Sequence, residues 1–512
     1  MLITMRKQLT YILAICMFCA CDKKLDILPT QEPEADYFKD EDHLQRGIGG
    51  AYAKLTDLYA YNANSPRHRL WLLPGDDLMS NNPTVMDNFS GLNGGDGDLN
   101  NVWKTLYEIV NRTNTMLEIT EQNKQVYMTA GLADFNKGEM LFLRGWAFYK
   151  LWTWWKKAPV SVVRIKDNSG DLYLKPSKDL ELLDQAIKDW KDAATLLPDS
   201  WPAAQTGRVT KNSAYGMLVK GYVTRACFNS KNLQDYGDAL AAYQNIKGRA
   251  LVAHFGDNFD YRKENNSESL FEFQASASSQ ENPWLMNDFG KGTGSMGAFY
   301  QYFEDSWTNL GTLMGPSLKL IQSFGPVDPR RGETIAANPA DPWSFNGGYK
   351  FTKYINGERG KYVGLASINS INNTRILRLA DIKLLVAEAY LQTGKPAEAL
   401  AEINDVRARA RKSVAGPEAA QPAALAAVTM ADIMNERLLE LAGEDGIRWN
   451  DLQRWHAAGY INLGNWTKAD FGFPVSYANF SFTAGTHVLM PIPVSEMETN
   501  PNMLSDGQNP GY

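Results

Sequence analysis

The stretch from Arg375 to Ala410 restricts the fold more than any other part of the chain. Apolar residues recur at helical spacing through Ile376, Leu379, Ile382, Leu385, Val386, Ala389 and Tyr390, which predicts a helix. Thr393-Gly394-Lys395-Pro396 then ends that helix and starts another, with Gly past its end and Pro in the next first turn. The second helix carries Ala399, Leu400, Ile403 and Val406 on one face. Small Ala387 and Ala399, with aromatic Tyr390, allow close antiparallel approach, as in a tetratricopeptide hairpin of about 34 residues. One hairpin cannot bury its own apolar face, so further hairpins should stack on it. These residues are scaffold rather than site.

A chain of 512 residues can supply such an array, or two or more ordinary domains. A net charge of −6 excludes a nucleic-acid binder, because no basic field offsets phosphate repulsion. The 14 Trp are more telling, since aromatic rings stack on sugar faces and also enrich protein interfaces. At the N-terminus, Arg6 and Lys7 precede an apolar run, Tyr11 to Ala20, too short to span a membrane. Phe18-Cys19-Ala20-Cys21 then has the form of a lipobox, with Phe18 and Cys19 as atypical members. Cys21 is therefore expected to be acylated and to begin the mature chain, the alternative being a plain cleaved signal. Cys227 is the remaining cysteine of the body and sits in a helical run, where burial is expected.

The predicted organisation is a signal peptide (1–20), a lipid-anchored tether (21–36), helical hairpins (37–252), a loop-rich insertion (253–374), and further hairpins with an irregular tail (375–512). Together they form one compact mature unit. Helices are expected near 41–61, 102–120, 138–155, 183–197, 213–228 and 238–250, with a last amphipathic stretch at 430–456. Residues 65–101 are rich in Gly, Asn, Asp and Pro and read as a loop, as does most of 253–362 apart from short β-like runs at 270–274 and 349–354. The fold class is mostly α: a tetratricopeptide-like α/α superhelix with large irregular loop insertions and a few short β-strands. Binding sites favour loops held by a rigid scaffold.

Enzymatic and cofactor signatures are missing from the sequence. The five His are scattered, with no zinc spacing, and neither a G-x-S-x-G elbow nor a phosphate-binding loop occurs. Neither a metal nor a cofactor is expected. Glu436, Glu440 and Glu444 share a helix face and could form a glycosidase pair, but Arg437, Arg448 and Arg454 accompany them, which favours ion pairing. Asp96-Gly97-Asp98-Leu99-Asn100 begins like a calcium loop, yet Tyr107 stands where the closing Glu belongs, so a structural turn is expected. Trp152, Trp154 and Trp155 should be core. Trp284, Tyr300, Tyr302, Trp307 and Trp343 lie instead among Gly and Asn, where two or more could form a ligand platform.

In order along the chain, these motifs resemble the SusD/RagB-type outer-membrane lipoproteins. The resemblance rests on Cys21-Asp22-Lys23-Lys24-Leu25-Asp26, Trp103 and Tyr107 with Asn111 and Asn114, and Gly138-Glu139 with Arg144. It continues through Glu268 to Gln274, Asp328-Pro329-Arg330-Arg331, Arg378-Leu379-Ala380-Asp381, Glu436 to Trp455, and Gln508-Asn509-Pro510-Gly511-Tyr512. It implies a lipoprotein on the outer face of an outer membrane that caps a SusC-like TonB-dependent transporter. Such proteins deliver oligosaccharides or polysaccharide fragments, sometimes peptides, and are not enzymes. The resemblance places ligands between the loop before the first inner helix and the later excursion, with individual contacts that vary between members; from the first loop the candidates are Asp77, Asn81 and Phe89. The leading expectation is a glycan-binding surface lipoprotein. A peptide-binding member of the same transporter system, or a tetratricopeptide-type interaction scaffold, remains as the alternative.

Overall fold

The computed structural model describes residues 37–59, 69–80, 83–166, 172–275, 314–337, 348–354 and 372–512. The first principal helix, α1 (Glu41–Ala53), is capped by the Asp40 carboxylate. Next, α2 (Gly97–Gln122) is capped by Asp96, whose Oδ1 accepts from the amides of Asp98 and Leu99. The calcium-like run is therefore a helix start, where a carboxylate satisfies orphan amides. In α3 (Leu132–Trp155) every residue from Gly138 to Trp155 is buried. A helix buried all round belongs at the centre of a layer, and its Glu139, Arg144 and Lys150 are each ion-paired there. Against it pack α1, α2, α4 (Glu181–Leu196) and the edge of α5 (Lys211–Phe228), and α6 (Leu233–Tyr243) follows on the far side of α5. The second half adds α7 (Leu318–Ser323), α8 (Pro329–Thr334), α9 (Leu379–Gln392), α10 (Pro396–Lys412), α11 (Met430–Leu441) and α12 (Ile447–Ala457).

Sequential helices pack on one another from α2 to α6; α6 then packs on α9, and α9 on α10 and α11, so the array runs across both halves. Its tightest joint is Trp190 of α4, fully buried between two glycines. A Cβ at Gly145 of α3 would lie 2.7 Å from the Trp190 indole nitrogen, and one at Gly221 of α5 would lie 2.9 Å from its ring. Trp152, Trp154 and Trp155 are core, as expected. Cys227 is buried too, and burial pushes its thiol up to about 12.

Among the described residues, three antiparallel ribbons interrupt the helices. They are β1 (Leu78–Ser80) with β3 (Met314–Pro316), β2 (Ser269–Phe273) with β6 (Thr374–Arg378), and β4 (Ile335–Ala337) with β5 (Tyr349–Phe351). The hairpin therefore begins later than the periodicity suggests: Ile376 belongs to β6, and α9 starts at Leu379, whose amide donates to Glu268 O. The β2–β6 ribbon lies on α5, where a Cβ at Gly216 would meet Leu377 and Leu270. The turn after α9 is as expected, with Gly394 at φ +73° and Pro396 in the first turn of α10. The stretch 430–456 is two helices, broken at 442–446. The tail from 488 onward carries short helices at Val494–Thr499 and Pro501–Asp506. It is pinned to the end of α3 by Asn509 Nδ2, which donates to Trp155 O and Met490 O. No helix among the described residues is long and apolar enough to cross a membrane.

Candidate functional site

The β1–β3 ribbon joins the two loop regions at their roots. Its register pairs Leu78 with Pro316, Met79 with Gly315, and Ser80 with Met314. Ser80 is the residue before Asn81, and Met314 is the first described residue after the excursion that contains Trp284, Tyr300 and Trp307. The β4–β5 ribbon packs beside β3 and pairs Ala337 with Tyr349, on either side of the segment containing Trp343. Three chain segments distant in sequence thus each have an end at one place on the scaffold.

Buried polar groups fix that place. Ser317 donates through its hydroxyl to Asp76 O at 2.6 Å and through its amide to Asp77 O at 3.0 Å. Burial pushes the Asp76 carboxyl up, but the charges of Arg448 and Lys319 outweigh it and hold it at about 2. Asp77 Oδ2 accepts from the Gly443 amide at 2.8 Å, and burial raises its carboxyl to about 6. Asp87 accepts from the amide and hydroxyl of Ser80, at 2.9 and 2.6 Å, from both donors of Thr84, and from the Tyr477 hydroxyl. Phe89 is packed against Trp449, Phe471, Phe480, Phe482 and His487, with a centroid distance of 4.9 Å to Phe482. Asp77 and Phe89, suggested above as ligand contacts, therefore face inward. Their exposures of 2% and 1% leave no surface for a sugar, and they hold the base of the β1–β3 ribbon.

Beneath the ribbons lies a buried charge network. Arg378, at the end of β6, donates to Glu268 at 2.6 Å and to Glu440 and Glu444 at 2.7 Å. Arg330 of α8 donates to Glu436 at 2.5 Å and Glu440 at 3.0 Å, while Arg409 of α10 bridges Glu268 and Glu440. Lys353, just beyond β5, donates to Glu444 at 2.7 Å; burial lowers its ammonium to about 8 against the attraction of Glu444. Burial opposes ionisation of Glu440, but Arg409, Arg378 and Arg330 together hold it well below the usual carboxylate range. The three glutamates thus form ion pairs, as expected, though with different partners. Arg437 goes to Asp381 and Asp451, Arg448 to Asp76, and Arg454 to Glu388 and Asp451. The break at 442–446 takes Glu444 off the helix face that Glu436 and Glu440 still share. Buried carboxylates clamped between cations in this way are not free to exchange a proton with a substrate.

Asn81, Trp284, Tyr300, Tyr302, Trp307, Trp343 and Cys21 lie outside the described residues. One aromatic at the roots was not anticipated: Trp466, half-buried, with its ring 5.1 Å from Phe471 and the Lys319 ammonium 4.2 Å from its centroid. The run Gly464-Asn465-Trp466 carries the same Gly, Asn and aromatic mixture as the excursions, and that mixture is the signal pointing to it. Among the described residues no group of His, Cys, Asp and Glu is arranged to hold a metal ion.

Two family models match the chain. One, described as the SusD family, covers residues 333–512; the other, described as starch-binding associating with outer membrane, covers residues 31–223. A SusD-like protein of Bacteroides ovatus is 24% identical over 70% of this chain and 66% of its own length, so the match spans about two thirds of that relative. SusD-like protein P25 of Formosa agariphila is 24% identical over 98% of this chain and 99% of its own. Among solved structures, surface glycan-binding protein A from Bacteroides thetaiotaomicron in complex with laminarihexaose superposes with a TM-score of 0.69. It is 19% identical, covering 92% of this chain and 99% of that one, a likeness of fold.

Proposed function

The chain belongs to the SusD family, and from that premise we propose that it is a cell-surface glycan-binding lipoprotein that captures oligosaccharides for a SusC-like TonB-dependent transporter. The observation that carries this reading is the β1–β3 ribbon, which roots the two aromatic- and Asn-rich loop regions side by side on a rigid helical base. In this reading Trp284, Tyr300, Trp307 and Trp343 stack on sugar faces. Asn81 and neighbouring polar groups take the hydroxyls, and Trp466 stands at the rim. Relatives whose names state glycan binding, including a laminarin-binding SusD-like protein, support the same reading. Acylated Cys21 and the tether to residue 36 would hold the protein at the membrane. Affinity should be modest, since a shallow polar ligand gives up good hydrogen bonds to water. Catalysis is not part of the proposal, because the described carboxylates nearest the roots are engaged by cations or amides.

The test is calorimetry against a panel of glycans, laminarin and starch included, with the ligand recovered afterwards. Wild-type protein should bind at least one glycan stoichiometrically and release no reducing ends. At least one of Trp284→Ala, Trp307→Ala and Trp343→Ala should abolish binding while the fold survives, since a ring covered by its ligand contributes about 1–3 kcal/mol. Trp152→Ala is the control, expected to lower thermal stability. Normal binding by all three loop variants would show that the platform lies elsewhere.

A further inference from the structure

Apart from the loop roots, the connection between α4 and α5 faces strand β2 across a polar hollow of about 160 Å³. That is close to the volume at which an engineered cavity takes up one benzene-sized ring. Trp201, Thr206, Arg249, Asn265, Ser269 and Glu272 are among the residues that line it. Trp201 is a fixed wall: its indole nitrogen donates to Val209 O at 2.8 Å, and the Arg208 guanidinium sits 3.8 Å from its ring centroid. Arg208 is in turn held by Glu139 and Asn136.

Two charged groups in this hollow are underused. Glu272 is 2% exposed, and its Oε2 accepts from Asn265 N at 3.2 Å and Asn373 Nδ2 at 2.9 Å. Its Oε1 has no hydrogen-bond partner among the described residues; the nearest cation, Arg375 Nε, stands 3.6 Å away and also lacks one. A buried carboxylate oxygen left without a donor is costly, and such groups call for an explanation. Arg249, half-buried, makes a single hydrogen bond among the described residues, from Nη1 to Asn266 O at 3.3 Å.

We propose that this hollow is a second carbohydrate site, independent of the loop platform, which takes a single neutral sugar ring. The charge pair argues for that class of ligand. An anion would meet Glu272 and a cation would meet Arg249, whereas adjacent hydroxyls can donate to the carboxylate and accept from the guanidinium at once. The rim carries further hydroxyls, those of Thr206 and Ser269.

Saturation-transfer NMR and calorimetry with glucose, galactose, mannose, xylose and arabinose test this. The proteins are the wild type, Arg249→Ala, Thr206→Trp and the combined Trp284, Trp307 and Trp343 alanine variant. Thr206 is exposed, so Thr206→Trp plugs the mouth without entering the core and stands in if Arg249→Ala folds poorly. At least one monosaccharide should bind saturably to the wild type and equally well to the loop variant. Its Kd should rise at least tenfold in Thr206→Trp and in a folded Arg249→Ala. The proposal is overturned if no monosaccharide saturates, if these two changes leave binding intact, or if the loop variant loses it. Glycine binding with the same dependence on Arg249 would also overturn it, in favour of a zwitterion site.

Discussion

Asp76 and Asp77 are neighbours and both are buried, yet their carboxyls move in opposite directions. Asp76 meets two cations, whereas Asp77 meets one amide and the negative charge of Asp76, and its Oδ1 has no hydrogen-bond partner among the described residues. Asp77 therefore holds its proton more tightly in the folded state, at about 6, than its ordinary value of 3.8. Its contribution to stability is complete below that ordinary value and is lost as pH rises through about 6. Asp77→Asn removes the charge and keeps an acceptor for Gly443. Its melting temperature should exceed that of the wild type above pH 6, by the equivalent of about 2–3 kcal/mol, and the gap should close near pH 4. Parallel melting curves across that range would show that Asp77 carries no such cost.

Among the elements, the α3–α4–α5 joint is the most sharply constrained. A methyl at Gly145 would collide with both the Trp190 ring and the backbone oxygen of Ala186, 3.0 Å away, and the backbone cannot swing aside. Gly145→Ala should lower stability by about 1–3 kcal/mol in denaturant titration, although alanine is the better helix former by about 1 kcal/mol. A neutral or stabilising result would mean that the helices separate easily. Helices such as α3 and α10 were legible in the sequence because their apolar spacing persists over several turns. Strand β6 was not, since five residues containing Ile376 and Leu377 fit a helix period as well as a strand. Strand β1 is three residues long and exists only through β3, which no local pattern announces. Phe89 and Asp77 were misplaced for a related reason: loop composition suggested exposure, while the aromatics at 471–482 and the amide of Gly443 bury them. The candidate site was legible as a pair of unusual loops, and their common root was not.

At the scale of the molecule, the charge network ties β2, α8, the end of β5, β6, α10 and α11 into one base. Arg378 touches three of its carboxylates, all of them buried. Arg378→Met removes a cation and leaves those charges under-compensated, which should cost about 3–5 kcal/mol in urea unfolding. A loss below about 1 kcal/mol would mean that Arg330, Arg409 and Lys353 suffice without it.

The pairing of Ser80 with Met314 also bears on when the protein becomes competent. A chain emerging from its N-terminus exposes β1 long before β3 exists, so that ribbon closes across nearly half of the sequence and such contacts form slowly. The early hairpins can fold locally while the loop roots stay apart. On the proposed reading, ligand capture is a property of the finished molecule: a chain truncated or stalled before residue 314 holds half of a doorway. Binding to an immobilised glycan would then select complete chains from partial ones.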